Sequence, residues 1–345
     1  MRKRIEKSNS IADEALNILK NLQENFAEEY RKIQEKWTSD SVHDLRVACR
    51  RLRSALRTFS PYFDHPVFAE YKSGLKLFMK GFNDLRDLDV ELEILSKITS
   101  PKPKHLKQQF DSLSKNFRDR KKFLDESMKK FCYESLGLIT INIPAPSTGY
   151  EAPFNKAAAM ILESEIDETS AALRRITWTN PEKTFSTLHI LRIHIKRIRY
   201  SLELFKRFYE PEGSMVVEKL KNLQDLLGWV HDCDVICEEV QKMMKKSFKE
   251  AKELFQGRFE KIRWTGKSNV SKKSPFFKIR NISEISFFLV RRIGKERKKH
   301  FTTAKRELRI LQSKNWLESI KRWLRTGKCP PFLYAGHERN EKGNS

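Results

Sequence analysis

Two stretches of this chain place histidine and basic side chains at helical intervals, an arrangement suited to holding anions. In the first, His43, Arg46, Arg50, Arg53 and Arg57 follow one another three or four residues apart. At about 100° per residue they fall within an arc of about 80°. Leu45, Cys49, Leu52, Leu56 and Phe59 fill a separate arc, about 100° wide. A helix here has a face to bury and, beside it, a ladder of cationic donors rising about 5.4 Å per turn. In the second stretch His189, Arg192, Lys196 and Arg199 form the same ladder beside Leu191, Ile195, Ile198, Leu202 and Phe205. Glu203 stands where the first copy has Arg57, so the second ladder is one step shorter.

Stacked like charges destabilise an isolated helix by a few tenths of a kcal/mol per pair, about 0.2–0.5. A solvated face would interleave Glu with Lys, whereas these ladders are almost purely cationic. Arginine's planar fork matches phosphate oxygens bidentately, and a histidine at the head of each ladder adds a donor that charges near neutral pH. Binding is therefore expected to tighten as pH falls through the histidine range. Some cations should instead pair with carboxylates on neighbouring helices. Asp87, Asp89, Asp232 and Asp234 are the candidate acids, and Arg51 and Arg197, which project away from the ladders, are the first cations expected to be taken.

The elements that must position these ladders are long helices. Only 12 Gly and 12 Pro occur in 345 residues, too few for a loop-rich fold. Ser10 is a candidate cap for a helix over 8–36, in which Ile11, Ala15, Ile18, Leu19, Leu22 and Phe26 repeat at helical spacing. Further helices are predicted from Ser39 to before Pro61, over about 66–98 and 105–136, then over 154–178, 182–209 and 213–262. After a Lys/Ser-rich break at 264–280, one more long helix is predicted over 282–326. Residues 140–153, with Pro144, Pro146, Gly149 and Pro153, are the clearest linker. No segment alternates with period two, so strands have little support.

The two ladders belong to a repeat. His43-Asp44-Leu45-Arg46-Val47 with Arg50-Arg51-Leu52-Arg53 matches His189-Ile190-Leu191-Arg192-Ile193 with Lys196-Arg197-Ile198-Arg199. Arg86-Asp87-Leu88-Asp89-Val90 matches His231-Asp232-Cys233-Asp234-Val235 at nearly the same offset. The expected architecture is all-α, with two pseudo-twofold-related four-helix bundles from an internal duplication. Residues 1–138 and 154–328 are the two bundles, 139–153 the linker and 329–345 a basic tail expected to fray.

Composition narrows the partner. Lys plus Arg number 69 against 45 Asp plus Glu, a net charge of +24, so the partner is negative. A hydrophobic share of 39%, with 23 Phe and 6 Trp, supports a packed core. The five cysteines are scattered and unlike a disulfide framework. The opening Met1-Arg2-Lys3-Arg4 leads into an amphipathic pattern without an apolar signal region, and no stretch approaches the roughly 18 apolar residues of a membrane span. A cytoplasmic protein without membrane insertion is expected.

The pattern H-x-x-R-V-x-x-R-R-L-R at 43–53, echoed at 189–199, resembles the CHAD family (conserved histidine α-helical domain). Arg86-Asp87-Leu88-Asp89-Val90 and Leu223-Gln224-Asp225-Leu226-Leu227-Gly228 fit the same family, and the resemblance runs over about 8–312. It implies two four-helix bundles and binding of inorganic polyphosphate along a basic groove or pore, in some members at polyphosphate granules. Carried over by motif, His43, Arg46, Arg50, Arg53, His189, Arg192, Lys196 and Arg199 become expected ligand contacts, and Arg57 joins them by the helical projection. Lys76, Lys221, Arg120 and Arg297 are further candidates, and Lys72 and Lys80 share the spacing of Lys76. The family's glycine near the end of the third helix is Gly228 in the second copy but Asn83 in the first.

Three other readings carry less. An enzyme is disfavoured, because neither the E-x-E-x-K of triphosphate tunnel hydrolases nor a P-loop occurs; an accessory role beside a polyphosphate-metabolising enzyme stays open. A nucleic-acid binder would want exposed aromatics among the cations; Phe59 and Phe205 lie on the packed arc and Tyr200 alone lies close to a ladder, so RNA is expected to compete only at low salt. For metal, His231, Cys233 and Cys237 are the nearest approach to a ligand set, and the two cysteines, four apart on an apolar helix, read as core. No cofactor is expected.

Overall fold

The computed structural model describes residues 10–134, 142–147, 149–176, 178, 181–259, 275–313, 315–328 and 330. Among them the chain is helical: α1 (Ile11–Glu35), α2 (Ser39–Thr58), α3 (Pro66–Lys97), α4 (Lys104–Glu134), α5 (Phe154–Arg174), α6 (Pro181–Leu204), α7 (Glu212–Phe259), α8 (Pro275–Ser313) and α9 (Trp316–Thr326). A single backbone bridge, Ser10 to Pro153, is the sole extended pairing in the described residues.

Local chemistry sets the helix ends. Ser10 caps α1, its Oγ accepting from the backbone N–H of Asp13 at 3.1 Å. Thr38 and Ser41 form a reciprocal capping box at the start of α2, which fixes where the first ladder begins. Pro275 opens α8 inside the break expected at 264–280; a first-turn proline has no N–H to lose. The single helix expected over 282–326 is two. Asn315 takes a left-handed conformation, φ 43°, that separates α8 from α9. That turn lets α9 bury Trp316, Leu317, Ile320, Trp323 and Leu324 on one face before Gly327, φ 67°, ends it. The expected tail beyond 330 and the break residues 264–274 lie outside the described residues.

The linker is tied down. Ile11 donates to the carbonyl of Ala152 at 2.9 Å, Ser147 donates to Tyr62 at 2.9 Å, and Ser147 Oγ accepts from Asp64 N–H at 2.9 Å. These bonds fasten it to the start of α1 and to the 3-10 turn after α2.

Contacts divide the chain into two compact units, and neither follows the linker. Unit 1 comprises residues 1–83, 127–227 and 304–345; unit 2 comprises 84–126 and 228–303. The long helices α3, α4, α7 and α8 contribute to both. In unit 1, α2 packs on α1 and α6, while α5 packs on α1, α6 and α9. Its core is aromatic: Phe26, Tyr30, Phe78 and Phe82 cluster, and Phe205 meets both Phe59 and Phe154 edge-on at 6.0 and 5.5 Å. Gly81 supplies a close approach of α3 to α4, since a Cβ there would run into the Met128 side chain. This tight contact stands two residues before Asn83. Unit 2 has its own core of Leu88, Ile94, Phe110, Phe117, Ile236, Leu289 and Ile293. Cys233 is in that core and Cys237 packs against it, as expected of core cysteines. Burial raises their thiols to about 12 and about 11.

Candidate anion-binding site

The ladder helices α2 and α6 pack against each other in unit 1, and their apolar arcs are buried as the projection requires. Leu45, Cys49, Leu52, Leu56 and Phe59 on one, and Leu191, Ile195, Ile198, Leu202 and Phe205 on the other, are all at most 2% exposed. That packing holds the cationic arcs in place beside a groove of about 320 Å³. Its ten lining residues are Arg50, Arg53, Ser54, Arg57, Lys72, Lys76, Ile193, Lys196, Arg197 and Tyr200. Seven are cationic and none is acidic.

Two of the seven are partly compensated from α5. Arg57 Nη2 approaches Glu165 Oε1 at 3.4 Å, and Arg197 Nη1 approaches Glu168 Oε2 at 3.4 Å, where His194 Nδ1 also lies 3.3 Å away. Burial, opposed by Ser201, Arg57 and Arg197, holds Glu165 above the usual carboxylate range. Burial and the Arg197 charge lower His194 below the ordinary histidine value, against the pull of Glu168. For the other five lining cations, Arg50, Arg53, Lys72, Lys76 and Lys196, no carboxylate lies within 4.0 Å among the described residues. The charge they concentrate registers on Lys196. Removal from water, and then the charges of Arg50, Arg192, Arg53 and Arg199, pull its ammonium down to about 8, although the side chain keeps an end in solvent.

Tyr200 forms the floor. It is 5% exposed, and Arg199, Arg50 and Lys196 sit 4.1, 6.0 and 6.0 Å from its ring centre. The negative face of the ring relieves part of the repulsion among these cations, of which Arg50 and Lys196 have no acid within ion-pair distance among the described residues.

The expected contacts therefore separate. Arg50, Arg53, Arg57, Lys76 and Lys196 line one groove, joined by Lys72 and by Arg197. Arg197 was expected to point away and to pair with an acid; it does pair with Glu168 and still lines the groove. Its helix alone places it off the ladder, and only the packing of α6 on α2 brings it back. Arg46 and Arg192 are half-buried at matched positions, each with a shielded Nε, while His43, in the second turn of α2, and His189, further along α6, are exposed. Arg199 is committed inward: it pairs with Glu203 and donates through Nε to Gln224 at 3.0 Å. The acid that shortens the second ladder thus also takes that ladder's last arginine. Lys221 lines a different pocket, with Arg51 and Lys206, and Arg51 has no carboxylate within ion-pair distance among the described residues, contrary to expectation.

Arg120 and Arg297 belong to unit 2 and hold acids there. Arg120 lies 3.6 Å from Glu239, and Arg297 forks onto Asp234. Arg86 reaches Asp232 through both terminal nitrogens, at 3.2 and 2.9 Å, and Lys121 pairs with Asp89. Of the four aspartates expected to neutralise the ladders, these three bind other cations, and Asp87 meets Arg86 at 3.2 Å.

Among the described residues the chain is all-helical, and its packed helices wall a groove with seven cations and no acid. It belongs to the CHAD domain family, whose pattern matches residues 17–241. Among solved structures it is similar to PptA from Streptomyces chartreusis, with 15% identity, a TM-score of 0.51 and coverage of 87% of this chain and 100% of that one. It is also similar to the CHAD domain from the plant Ricinus communis, with 18% identity, a TM-score of 0.49 and coverage of 84% and 94%. A comparison with curated proteins finds no match.

Proposed function

We propose that this chain binds inorganic polyphosphate in the groove between α2, α3 and α6, without catalysis, as an adaptor or granule-targeting module of the cytoplasm. One observation carries the reading: five cations without a carboxylate partner share a lining that contains no acid. Lys72 and Lys76 from α3 face Arg50 and Arg53 from α2 and Lys196 from α6, so a linear anion would meet donors on more than one wall. Membership of the CHAD family supports phosphate polymers as the class of anion. No described helix is long and apolar enough to cross a membrane.

We read the two ladders as copies from an internal duplication, 1–138 and 154–328, whose helices interleave in the folded units. Several matched features support this. Phe59 and Phe205 close α2 and α6, and each is followed by a three-residue 3-10 turn, Ser60–Tyr62 and Lys206–Phe208. Arg46 and Arg192 share the same burial.

A competition titration tests the function. Long-chain polyphosphate, single-stranded RNA and duplex DNA of equal phosphate content are titrated at physiological salt against the wild type and Arg50→Ala/Arg53→Ala. Polyphosphate should win by at least tenfold, and the double variant should lose that preference. Equal binding of all three by both proteins would leave the charge acting diffusely and the groove without a role. RNA has one feature against it here: Tyr200, the aromatic nearest the ladder, is buried and offers no face for a base.

A further inference from the structure

Several lysines of this chain rest on an acid: Lys32 on Glu28 at 2.8 Å, Lys97 on Glu93 at 2.7 Å, Lys219 on Glu307 at 2.6 Å and Lys321 on Asp167 at 2.6 Å. Lys196 is the reverse case. It sits on the lining of a cationic groove, 6.0 Å from the Tyr200 ring centre, among four arginines and with no carboxylate in reach among the described residues. An ammonium so placed is pressed to give up its proton, and its free amine then stands in a site that attracts phosphate. We propose that Lys196 is a modification site, acylated by small acyl phosphates that the groove draws in, and that acylation weakens the groove's hold on polyanions. The second half rests on the anion-binding reading above; the first does not require polyphosphate to be the natural ligand.

The chemistry is self-contained. The deprotonated ε-nitrogen attacks the acyl carbon, a C–N bond forms and the bond from that carbon to the bridging oxygen breaks. Inorganic phosphate leaves with the electron pair and takes the proton that the nitrogen loses. No oxidant or further reactant enters. With its ammonium at about 8, roughly a quarter of Lys196 is free amine at pH 7.5, against about one part in a thousand for an ordinary lysine near 10.4. Lower basicity gives back part of that gain in intrinsic nucleophilicity, with a Brønsted slope of about 0.4–0.5 in the thiol case. The net advantage is on the order of tenfold. The product is a neutral amide, so the lining loses one cation and the arginines around it lose one repulsive neighbour.

The test incubates the full chain with acetyl phosphate, and separately with the phosphate-free N-hydroxysuccinimide ester of acetic acid, and follows each lysine by site-resolved mass spectrometry between pH 7 and 8.5. Lys196 should react about tenfold faster than Lys72 and Lys76 with both reagents, and its lead should be larger with acetyl phosphate. Arg50→Ala should slow Lys196 toward its neighbours, with circular dichroism showing the helices intact. Labelling of Lys196 no faster than Lys72 and Lys76 with both reagents would overturn the proposal. Added long-chain polyphosphate should shield Lys196. If it does not, while the selectivity for Lys196 stands, the ligand reading fails and the reactive amine remains.

Discussion

At the scale of single residues, two ionisable groups lead to predictions of opposite origin. Lys196 has a depressed pKa of about 8 because water is partly removed and four guanidiniums repel its proton. A bound phosphate chain neutralises that repulsion and returns the proton. Affinity should therefore fall as pH rises through about 8, with proton uptake on binding above that point. Calorimetry in buffers of different ionisation enthalpy measures the uptake directly; Lys196→Arg, which stays charged, should abolish this step. Glu91 is the other group. It is 9% exposed, and its Oε2 has no hydrogen-bond partner among the described residues. Burial raises it to about 7, against the pull of Arg120 and with Glu239 and Asp87 adding to the rise. Its folded pKa lies above its unfolded one, so its stabilising contribution is complete below about pH 4.5 and is lost as pH rises through about 7. Glu91→Gln should flatten that loss and stabilise the protein by about 1–3 kcal/mol at pH 8. Urea unfolding at pH 5 and pH 8 reads the difference; an equal slope in both proteins would place the pH dependence elsewhere.

At the scale of elements, the ion pairs of unit 2 act as cross-links between helices. Arg86 on α3 holds Asp232 on α7 with two hydrogen bonds, and the Asp232 side chain is only 10% exposed. Arg86→Leu leaves a nearly buried carboxylate without its main partner and should cost about 2–4 kcal/mol. The double change Arg86→Leu/Asp232→Leu should cost less than that single one, because no orphaned charge remains; denaturant midpoints of both variants decide the point. The helices themselves were readable from the chain. Periodicity, the Ser10 cap, the Thr38–Ser41 box and the proline stops locate most of them, and three steps of the α2 ladder, Arg50, Arg53 and Arg57, line the groove. What a single-helix projection cannot carry is the neighbour. Arg197 sits off the ladder by angle and on the groove by packing, whereas Arg199 sits on the ladder by angle and is drawn away by Glu203 and Gln224. The stop at Asn315 was hidden for a related reason, since one left-handed residue carries no periodic signal and is justified only by what α9 buries afterwards.

At the scale of the molecule, the net charge of +24 supplies attraction and the groove supplies its focus. Polyphosphate affinity should fall linearly on a log–log plot against salt, and removing Arg53 should reduce the slope by roughly one. A charge-neutral change of the same size outside the groove should leave the slope alone. Titrations at several salt concentrations separate the two, and an unchanged slope in Arg53→Ala would mean that this arginine meets no phosphate. The composition of unit 1 also bears on how the protein comes into being. Its parts are drawn from residues 1–83, 127–227 and 304–345, so the unit cannot close until α6 and finally α9 have been synthesised. At about 5–20 residues per second, α2 waits on the order of ten seconds for α6 to emerge. Throughout that wait α1 alone covers its apolar face, the part that α6 buries stays open, and its arginines stand beside the ribosome's own RNA. A growing chain of this kind meets a competing polyanion before it has a groove, and its yield in a cell should depend on how quickly the second ladder arrives to claim the first.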